Sequence, residues 1–389
     1  MTETTLGDLI STGEGTVADI EAVLSSKTDA EEAGLLVLTE VLSRARLFEG
    51  PPTEVVVQFD LGVAGTRLGY QVTVGPGVSE VQPGWAVEPH ATVRQDLAEL
   101  LRAVYGPSGA RYDATREVRI SDEPAPPTLF PDDVWMARWN AATLAAGQLV
   151  RAASPHRADL TDLALRFGSD KWGGHWYTQH YERHFEPYRH QRIRILEIGV
   201  GGYNSPTSGG GSLRMWKHFF PRGQVFGLDA FDKSGVDEPR IRTVVGDQSS
   251  PEFLTSLAEE IGPLDIVVDD GSHLSDDVIT SFTTLFPLLR PGGLYVIEDL
   301  QTSYWPGWNG NRSELSDPGT SVGFLKTLFD TLHHQDRVRE APYEPSEIER
   351  GVTGIHLYHN LVFIEKGVNA EQSAPSWLPK HTNPMTDLT

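Results

Sequence analysis

The chain has 389 residues, with 32 lysine and arginine against 54 aspartate and glutamate residues, which gives a formal net charge of -22 at pH 7. An acidic surface repels phosphate groups, so nucleic-acid and anionic-membrane partners are not expected. Cysteine is absent, which excludes disulfides, thiolate metal sites and a cysteine nucleophile. Because no apolar run approaches the roughly 20 residues that span a bilayer, and the N-terminus lacks a signal-peptide pattern, we expect a soluble cytoplasmic protein of two or three domains.

The first third of the chain combines helical and strand-like patterns. Apolar residues recur at helical intervals between Thr16 and Leu47, which predicts two amphipathic helices. Strand-like runs then flank a glycine-containing turn between residues 54 and 77. The stretch 93–105 predicts a helix that ends at Gly106. Together these elements predict a small α+β module.

A proline-rich stretch, 121–133, follows this module and can continue neither a helix nor a central strand. We therefore place a domain boundary there. Beyond it, Asp132 or Asp133 can cap a helix that packs against its neighbours or another subunit. The apolar residues of this helix are Val134, Trp135, Trp139, Leu144 and Leu149. The predicted domains are an N-terminal auxiliary α+β domain (1–130), a helical linker with an active-site lid (131–185) and a Rossmann-like domain (186–389).

From Arg194 onward, short β-branched runs alternate with segments long enough for helices. The runs are 194–200, 224–230, 242–247, 264–271 and 293–300. Strands that alternate with helices predict a parallel sheet and hence an α/β fold. Residues 354–367 add two strands around a tight His-Asn turn, which suits an antiparallel pair at the edge of the sheet.

The first strand of this sheet ends in a glycine-rich motif. Gly199, Gly201, Gly202 and Tyr203 follow Glu197, and glycine there permits a sharp turn and a close approach to a ligand. The spacing lacks the third glycine of a dinucleotide-binding fingerprint, and no Gly-Lys-Ser/Thr of a P-loop follows. An acid just before the first glycine is typical of methyltransferases that use S-adenosylmethionine, whose amino-acid part is cationic.

The next two strands also end in polar residues. Asp229 can bind both hydroxyls of a ribose, as acids do in nucleotide-binding α/β folds, although it could also merely cap a helix. Asp247, Gln248 and Ser249 end the third strand, where an adenine could be held. Three strand ends that carry acids in succession favour a nucleotide-like cofactor.

Two pairs of adjacent carboxylates follow the fourth and fifth strands, namely Asp269 with Asp270 and Glu298 with Asp299. Carboxylates that emerge together at one sheet edge repel one another unless a cation lies among them. Oxygen ligands favour Mg²⁺, with Mn²⁺ or Ca²⁺ as alternatives. We predict that Asp270, Glu298 and Asp299 bind the ion and that Asp269 faces the cofactor. The alternative is that these residues are helix N-caps.

His273 lies close to these acids in the sequence and is a candidate general base. Its ordinary pKa lies near neutrality, and a metal lowers the pKa of a bound alcohol. A purely structural role is the alternative for a single histidine.

Aromatic residues on both sides of the sheet motifs could form a substrate cleft. His175, Trp176 and Tyr177 precede the first strand, where a lid is expected, and Tyr304 and Trp305 follow the metal motif. Rigid aromatic faces suit a sugar ring or a flat polyketide. Packing against the sheet is an equally simple account of any one of them.

Long motifs carry a family resemblance. They are DKWGGHWYTQHYERHF, LEIGVGGY, SLRMWKHFFPRG, GLDAFDKS, GDQS, VVDDGSH and VIEDLQTSYWPG, within about 170–367. The chain resembles the metal-dependent sugar O-methyltransferases of actinobacterial natural-product pathways, including rhamnosyl O-methyltransferases. The resemblance implies a class I methyltransferase sheet, magnesium ligands at Asp270, Glu298 and Asp299, and a base at His273. It also implies a homotetramer in which the N-terminal module contributes to assembly and to the substrate pocket.

The sequence thus predicts an enzyme that uses S-adenosylmethionine and Mg²⁺ to methylate a deoxysugar hydroxyl, position 2 of a rhamnose-like sugar, on a glycosylated polyketide antibiotic. One alternative is a catechol-type enzyme that methylates an aromatic hydroxyl with a similar metal site. Another is a noncatalytic assembly protein that keeps the fold. The acids Glu197, Asp229 and Asp247 argue against the noncatalytic alternative.

Overall fold

The computed structural model describes residues 3–24, 27–46, 49–107, 114–121, 133–154, 159–172, 175–338, 343–371, 375 and 377–378. Two β-sheets follow each other along the chain, and helices cover both. Within these ranges, no helix is both long and apolar enough to cross a membrane.

The N-terminal half is built on a sheet with the strand order β3-β2-β1-β4-β5. Its strands are β1 (Val55–Val63), β2 (Thr66–Gly75), β3 (Val78–Pro83), β4 (Ala91–Asp96) and β5 (Glu117–Ile120). The helices are α1 (Glu3–Thr12), α2 (Val17–Val23), α3 (Lys27–Ala45), α4 (Leu97–Tyr105) and α5 (Asp133–Ala152). Strands β1 and β4 are parallel, whereas the other neighbours pair antiparallel.

This half confirms several expectations and corrects one. The helices predicted between Thr16 and Leu47 are α2 and α3, and β1 and β2 form the predicted hairpin. The helix predicted for 93–105 was wrong at its start, because 93–96 belong to strand β4, which pairs with β1 and β5 and alternates between buried and exposed side chains. The helix does end at Gly106, as predicted.

The boundary predicted in the proline-rich stretch lies outside the described residues for 122–132. Helix α5 begins at Asp133, as predicted, and its apolar residues Ala141, Ala145 and Leu149 are buried in the core of the first sheet. Val134 is largely exposed. The division into domains at 130 and 185 stays a prediction.

The C-terminal half contains the second sheet and its covering helices. The strands are β6 (Arg194–Ile198), β7 (Gln224–Asp229), β8 (Ile241–Val245), β9 (Leu264–Asp269), β10 (Leu289–Ile297), β11 (Val352–Tyr358) and β12 (Leu361–Lys366). The helices are α6 (Leu160–Phe167), α7 (Thr178–Phe185), α8 (Gly211–Phe219), α9 (Pro251–Ile261), α10 (Ser275–Leu285), α11 (Ser321–Leu332) and α12 (Glu347–Gly351). Each face of this sheet packs on its own apolar cluster.

The order of this sheet is β11-β12-β10-β9-β6-β7-β8. Strands β6 to β10 are parallel, and β11 and β12 form the predicted antiparallel pair at the edge. The chain runs from β6 outward to β7 and β8 and then returns to β9 on the other side of β6. In such sheets ligands bind where the order reverses, at the carboxyl ends of the strands. The fold therefore places a site between β6 and β9.

A buried ionic network joins the two halves. Glu40 of α3 accepts from Arg44 Nε at 2.9 Å and from Arg240 Nη2 at 2.5 Å, and Lys217 Nζ lies 3.9 Å from its Oε2. Arg240 also donates through Nη1 to the carbonyl oxygens of Lys217, Phe220 and Gly223 at the end of α8. The N-terminal half is thereby fixed against the sheet that carries the site.

Candidate active site

A cleft of about 1000 Å³ opens at the carboxyl ends of β6, β7, β8 and β9. Most of the residues predicted from the sequence for cofactor, metal and catalysis lie on its wall. They are Gly199, Gly201, Gly202, Tyr203, Asp229, Asp247, Gln248, Asp270, His273 and Asp299. The cleft thus lies where the strand order of the sheet reverses, between β6 and β9.

The glycine loop after β6 adopts a backbone that side chains would disturb. Gly199 has a φ of +93°, and a Cβ added to it would lie 2.0 Å from the carbonyl oxygen of Asp270. Gly202 has a φ of +73°, and its Cβ would lie 2.3 Å from the carbonyl oxygen of Ser208. Tyr203 ends the loop with its side chain 86% exposed. The close approach of the loops after β6 and β9 therefore depends on glycine.

Asp229 connects the loops after β6 and β7. Its Oδ2 accepts from the backbone N–H of Val200 at 3.0 Å, and its Oδ1 accepts from that of Phe231 at 2.9 Å. The carboxylate is thus fixed on the wall of the cleft, where it can accept hydrogen bonds from the hydroxyls of a ribose.

The residues after β8 differ in their exposure. Asp247 is exposed on the wall of the cleft, and hydrogen bonds from the side chain and backbone of Ser249 lower the pKa of its carboxyl. Ser249 is not part of the wall. Gln248 is buried and accepts from the backbone N–H of Ser272 at 3.0 Å, which fixes the loop that leads to His273.

Glu197 is fully buried behind the cleft and does not reach its wall. Its Oε2 accepts from Ser212 Oγ at 2.8 Å and from Trp216 Nε1 at 3.0 Å. Burial raises the pKa of this carboxyl to about 7, although Lys171 opposes the shift. Glu197 lies within strand β6, and its other oxygen, Oε1, lies 3.3 Å from Lys171 Nζ.

Asp269 is also buried and lies outside the wall of the cleft. It accepts from Gln248 Nε2 at 2.7 Å, from Ser281 Oγ and from Tyr295 Oη at 3.4 Å. Burial raises the pKa of its carboxyl to about 6, against the hydrogen bond from Ser281. The structure therefore does not place Asp269 opposite a cofactor in the cleft.

Asp270, His273 and Asp299 form the acidic centre, which we define as these three side chains. One ligand atom of each lies within 4.8 Å of the others. His273 Nε2 is 3.6 Å from Asp299 Oδ2. Tyr177 donates to Asp299 Oδ1 at 2.9 Å, and His175 Nε2 lies 3.5 Å from the same oxygen. The predicted lid residues His175 and Tyr177 thus meet the predicted metal site.

Glu298 lies behind the acidic centre and is almost fully buried. Its Oε1 accepts from Tyr181 Oη at 2.5 Å and lies 2.6 Å from Lys171 Nζ. Burial and the nearby Asp270 raise the pKa of Glu298 well above its ordinary value, and Lys171 opposes this shift. Glu298 does not line the cleft, unlike Asp299.

Lys171 and Tyr181 are the main site residues that the sequence analysis missed. Lys171 contacts Glu197, Asp270 and Glu298, and Tyr181 contacts Glu298. The chain has seven lysines, and this one lies in the aromatic segment before β6, which was a signal that could have been used. Gly209 and Gly211, at the start of α8, also line the cleft.

Of the predicted substrate residues, His175 and Tyr177 contact Asp299 of the acidic centre, and none of the five lies on the wall of the cleft. Trp176 is 57% exposed and packs edge-on against Trp172, with ring centroids 4.7 Å apart. His175 stacks on Tyr177 with centroids 4.6 Å apart. Tyr304 and Trp305 are exposed to 41% and 45%. Gly173 and Gly174 of the predicted lid lie outside the described residues.

The donor set fits a hard divalent cation. Asp270 and Asp299 present carboxylates to the cleft, and Mg²⁺ prefers carboxylate oxygen. Glu298 lies behind them and shares the ammonium of Lys171 with Asp270. Burial raises the pKa of Asp270, while Lys171 and His273 oppose the shift.

The reversed strand order, the glycine loop and the acidic strand ends define a Rossmann-like class I methyltransferase domain, here preceded by an α+β module. A family model described as MycE methyltransferase N-terminal matches residues 6–116. Mycinamicin VI 2''-O-methyltransferase of Micromonospora griseorubida is 41% identical over 388 residues, which cover 97% of this chain and 94% of that protein. The 8-demethyl-8-alpha-L-rhamnosyl tetracenomycin-C 2'-O-methyltransferase of Streptomyces olivaceus is 49% identical over 316 residues, with 79% and 80% covered.

The solved structure of the MycE methyltransferase of the mycinamycin pathway in complex with Mg, SAH and mycinamycin VI is also similar. It has a TM-score of 0.85 and 41% sequence identity, and the match covers 98% of this chain and 97% of that chain. The chain therefore belongs to the family of O-methyltransferases that includes these relatives, which confirms the family predicted from the motifs.

Proposed function

We propose that this enzyme transfers the methyl group of S-adenosylmethionine to a deoxysugar hydroxyl of a glycosylated polyketide, with Mg²⁺ bound at the acidic centre. The observation that carries the proposal is the convergence of Asp270, His273 and Asp299 within 4.8 Å at a cleft that also contains the glycine loop and Asp229. The relatives named above are O-methyltransferases, and the solved relative was crystallised with Mg, SAH and mycinamycin VI.

In this proposal S-adenosylmethionine lies along the loop 199–203. Asp229 accepts hydrogen bonds from the ribose hydroxyls, and the loop 247–249 holds the adenine end. Because Glu197 and Asp269 are buried, they support the loops from behind rather than contact the cofactor. The sulfonium methyl is already a good electrophile, so most of the rate comes from positioning the two reactants.

Asp270, Glu298 and Asp299 would hold the magnesium ion. The bound ion supplies positive charge that lowers the pKa of a neighbouring sugar hydroxyl. His273 lines the cleft 3.6 Å from Asp299 Oδ2 and would accept the proton of the reacting hydroxyl through a ring nitrogen. The hydroxyl oxygen then bonds to the methyl carbon as the methyl–sulfur bond breaks, and S-adenosylhomocysteine leaves.

The acceptor sugar would lie between the two aromatic walls. Trp176, Tyr304 and Trp305 are exposed and offer faces for a sugar ring or its aglycone. His175 and Tyr177 lie beside Asp299, where they can contact a second hydroxyl of the same sugar. We take the 2-hydroxyl of a rhamnose-like sugar as the position of methylation.

The proposal is tested by incubating the enzyme with S-adenosylmethionine, MgCl₂ and rhamnosylated polyketides, with the matching aglycones in parallel. We expect methylation of the glycosides alone, loss of turnover in EDTA and a 2-O-methyl linkage by NMR. Methylation of an aglycone hydroxyl would instead support the catechol-type alternative. Absence of both turnover and S-adenosylmethionine binding would support a noncatalytic role.

We also propose that the enzyme acts as a homotetramer in the cytoplasm, without nucleic-acid or membrane partners. Support for an assembly comes from the exposed apolar side chains of α5, Val134, Met136 and Leu144, on an otherwise acidic chain. The mass of the active species, measured by light scattering on the preparation used for the assay, distinguishes a tetramer from smaller forms.

A further inference from the structure

Lys171 carries a fully buried ammonium group that is shared by three carboxylates. Its Nζ lies 2.6 Å from Glu298 Oε1, 2.7 Å from Asp270 Oδ2 and 3.3 Å from Glu197 Oε1. These acids come from the ends of β10, β9 and β6, which are neighbours in the sheet. One side chain therefore contacts all three strand ends around which the site is built.

The surrounding charges are unequal. Three carboxylates face one ammonium, and Asp299 of the acidic centre adds a fourth acid nearby. Burial alone would lower the pKa of Lys171, but Asp270, Glu298 and Glu197 raise it well above its ordinary value. A buried charge without a partner destabilises the folded state, so loss of the lysine would leave the carboxylates uncompensated, just as loss of the carboxylates would leave the lysine uncompensated.

The backbone also fixes Lys171 in place. Its carbonyl oxygen accepts from the N–H groups of Tyr177 and Thr178 at 3.0 and 3.3 Å, just where α7 begins. The same short segment thus places Lys171 beneath Asp270 and places Tyr177 against Asp299. Lys171 is thus held at its backbone by hydrogen bonds from the start of α7 and at its ammonium group by the three acids.

We propose that Lys171 is a positioning residue that acts as a built-in counter-cation for the metal site. It balances the negative charge of Asp270 and Glu298 when no divalent ion is bound, so that these buried acids stay together in the metal-free protein. The inference rests on the proposed binding of Mg²⁺ by these acids.

This role has a measurable consequence for stability. Without the ammonium, the buried acids repel one another in the metal-free protein, and a divalent ion then supplies the missing positive charge. Ligand binding stabilises the folded state in proportion to the logarithm of ligand concentration over Kd. Because Mg²⁺ restores the positive charge that a variant without the lysine has lost, we expect the ion to bind that variant more tightly. The ion should therefore stabilise the variant more than it stabilises the wild type.

Lys217 provides a matched control. It is as buried as Lys171 and also pairs with acids, 3.2 Å from Glu238 Oε1 and 3.9 Å from Glu40 Oε2, but it lies in the network that joins the two halves. Its loss should destabilise the protein without changing the response to a metal at the acidic centre.

The experiment compares the melting temperatures of wild type, Lys171→Met and Lys217→Met in EDTA and in saturating MgCl₂, with MnCl₂ as a second ion. We expect both variants to melt several degrees below wild type in EDTA. The magnesium-induced rise should be at least twice as large in Lys171→Met as in wild type, whereas Lys217→Met should show the wild-type rise.

If Lys171→Met does not fold in EDTA, the experiment uses the double variant Lys171→Met/Glu197→Gln. This variant also lacks one acid of the cluster but keeps the three proposed metal ligands. Its control is the single variant Glu197→Gln. A magnesium-induced rise no larger than that of the matched control overturns the role of Lys171. Absence of any magnesium binding to the wild type by calorimetry contradicts the proposed metal site itself, and the inference with it. Magnesium binding to the wild type together with equal rises in all variants refutes only the inference.

Discussion

Adjacent acids in this site have different surroundings because neighbouring side chains of a strand point to opposite faces. Asp269 lies inward against Gln248, Ser281 and Tyr295, while Asp270 faces Lys171 and the cleft. The two residues thus differ in access to a ligand although both are carboxylates at one strand end. A pair of adjacent acids in the sequence predicts where a site lies, but the alternation of side chains along the backbone determines which of the two acids faces the cleft.

His273 is the residue on which the proposed proton transfer depends. Its φ of +57° lies in the left-handed region, where asparagine is tolerated better than alanine. We expect His273→Asn and His273→Ala each to lower kcat by roughly 100-fold or more, the range typical of a general base. Affinity for S-adenosylhomocysteine, measured by calorimetry, should stay within about threefold. Turnover of either variant close to that of wild type would remove His273 from the chemistry.

At the scale of elements, the site depends on how closely two loops meet. The loop after β6 passes so near the end of β9 that Gly199 has no room for a Cβ, since the carbonyl oxygen of Asp270 would lie 2.0 Å from it. The backbone of Asp270, a proposed metal ligand, therefore keeps its position only because Gly199 of the loop after β6 has no side chain.

We expect Gly199→Ala to separate these loops, lowering affinity for S-adenosylhomocysteine at least tenfold and lowering the melting temperature. Gly292→Ala is the control, because Gly292 has a similar φ of +86° with no atom within 4 Å of its Cβ. It should show only the backbone penalty, roughly 1–2 kcal/mol, with normal cofactor affinity. Equal loss of affinity in both variants would mean that backbone strain, and not the close approach, is responsible.

The strands of the second sheet could be predicted because their β-branched runs end in acids and alternate with helices, and each predicted run from 194 to 300 overlaps a strand. Strand β4 was missed because it continues directly into α4, so that its alternating pattern merged with a helical one. The aromatic segment pointed to the neighbourhood of Lys171, but its contacts with Asp270 and Glu298 could not be predicted, because they join residues far apart in the chain. Local patterns thus locate strand ends, whereas the partners of buried charges depend on tertiary packing.

At the scale of the whole molecule, the excess of acids does not prevent arginines and lysine from being buried. The network around Glu40 contains Arg44, Arg240 and Lys217, three cations around one carboxylate, the reverse of the arrangement at Lys171. It joins α3 of the N-terminal half to α8 and the start of β8. Glu40 thus joins the two halves at a buried point, in addition to the ion pairs of Glu14 with Arg192 and Arg222.

We expect Glu40→Gln to destabilise the protein by about 3–5 kcal/mol at pH 7, because it removes the carboxylate that Arg44 and Arg240 share in the buried network. Denaturant unfolding measures this difference. Glu117→Gln is the control, since Glu117 is 71% exposed in its pair with Arg94 and such surface pairs contribute about 1 kcal/mol or less. If both variants lose the same amount of unfolding free energy, burial of the network contributes nothing to stability.

The pH dependence gives a second test of the same network. Burial alone would raise the pKa of Glu40, but Arg240, Lys217 and Arg44 hold it well below its ordinary value of 4.5. A carboxyl whose pKa is lower in the folded than in the unfolded state contributes its full stability above the unfolded pKa and loses it as the pH falls through the folded pKa. The difference in unfolding free energy between wild type and Glu40→Gln should therefore be constant from about pH 6 to 8 and should decrease only below roughly pH 4.5. A difference that already declines between pH 8 and 6 would assign the stabilisation to another titrating group.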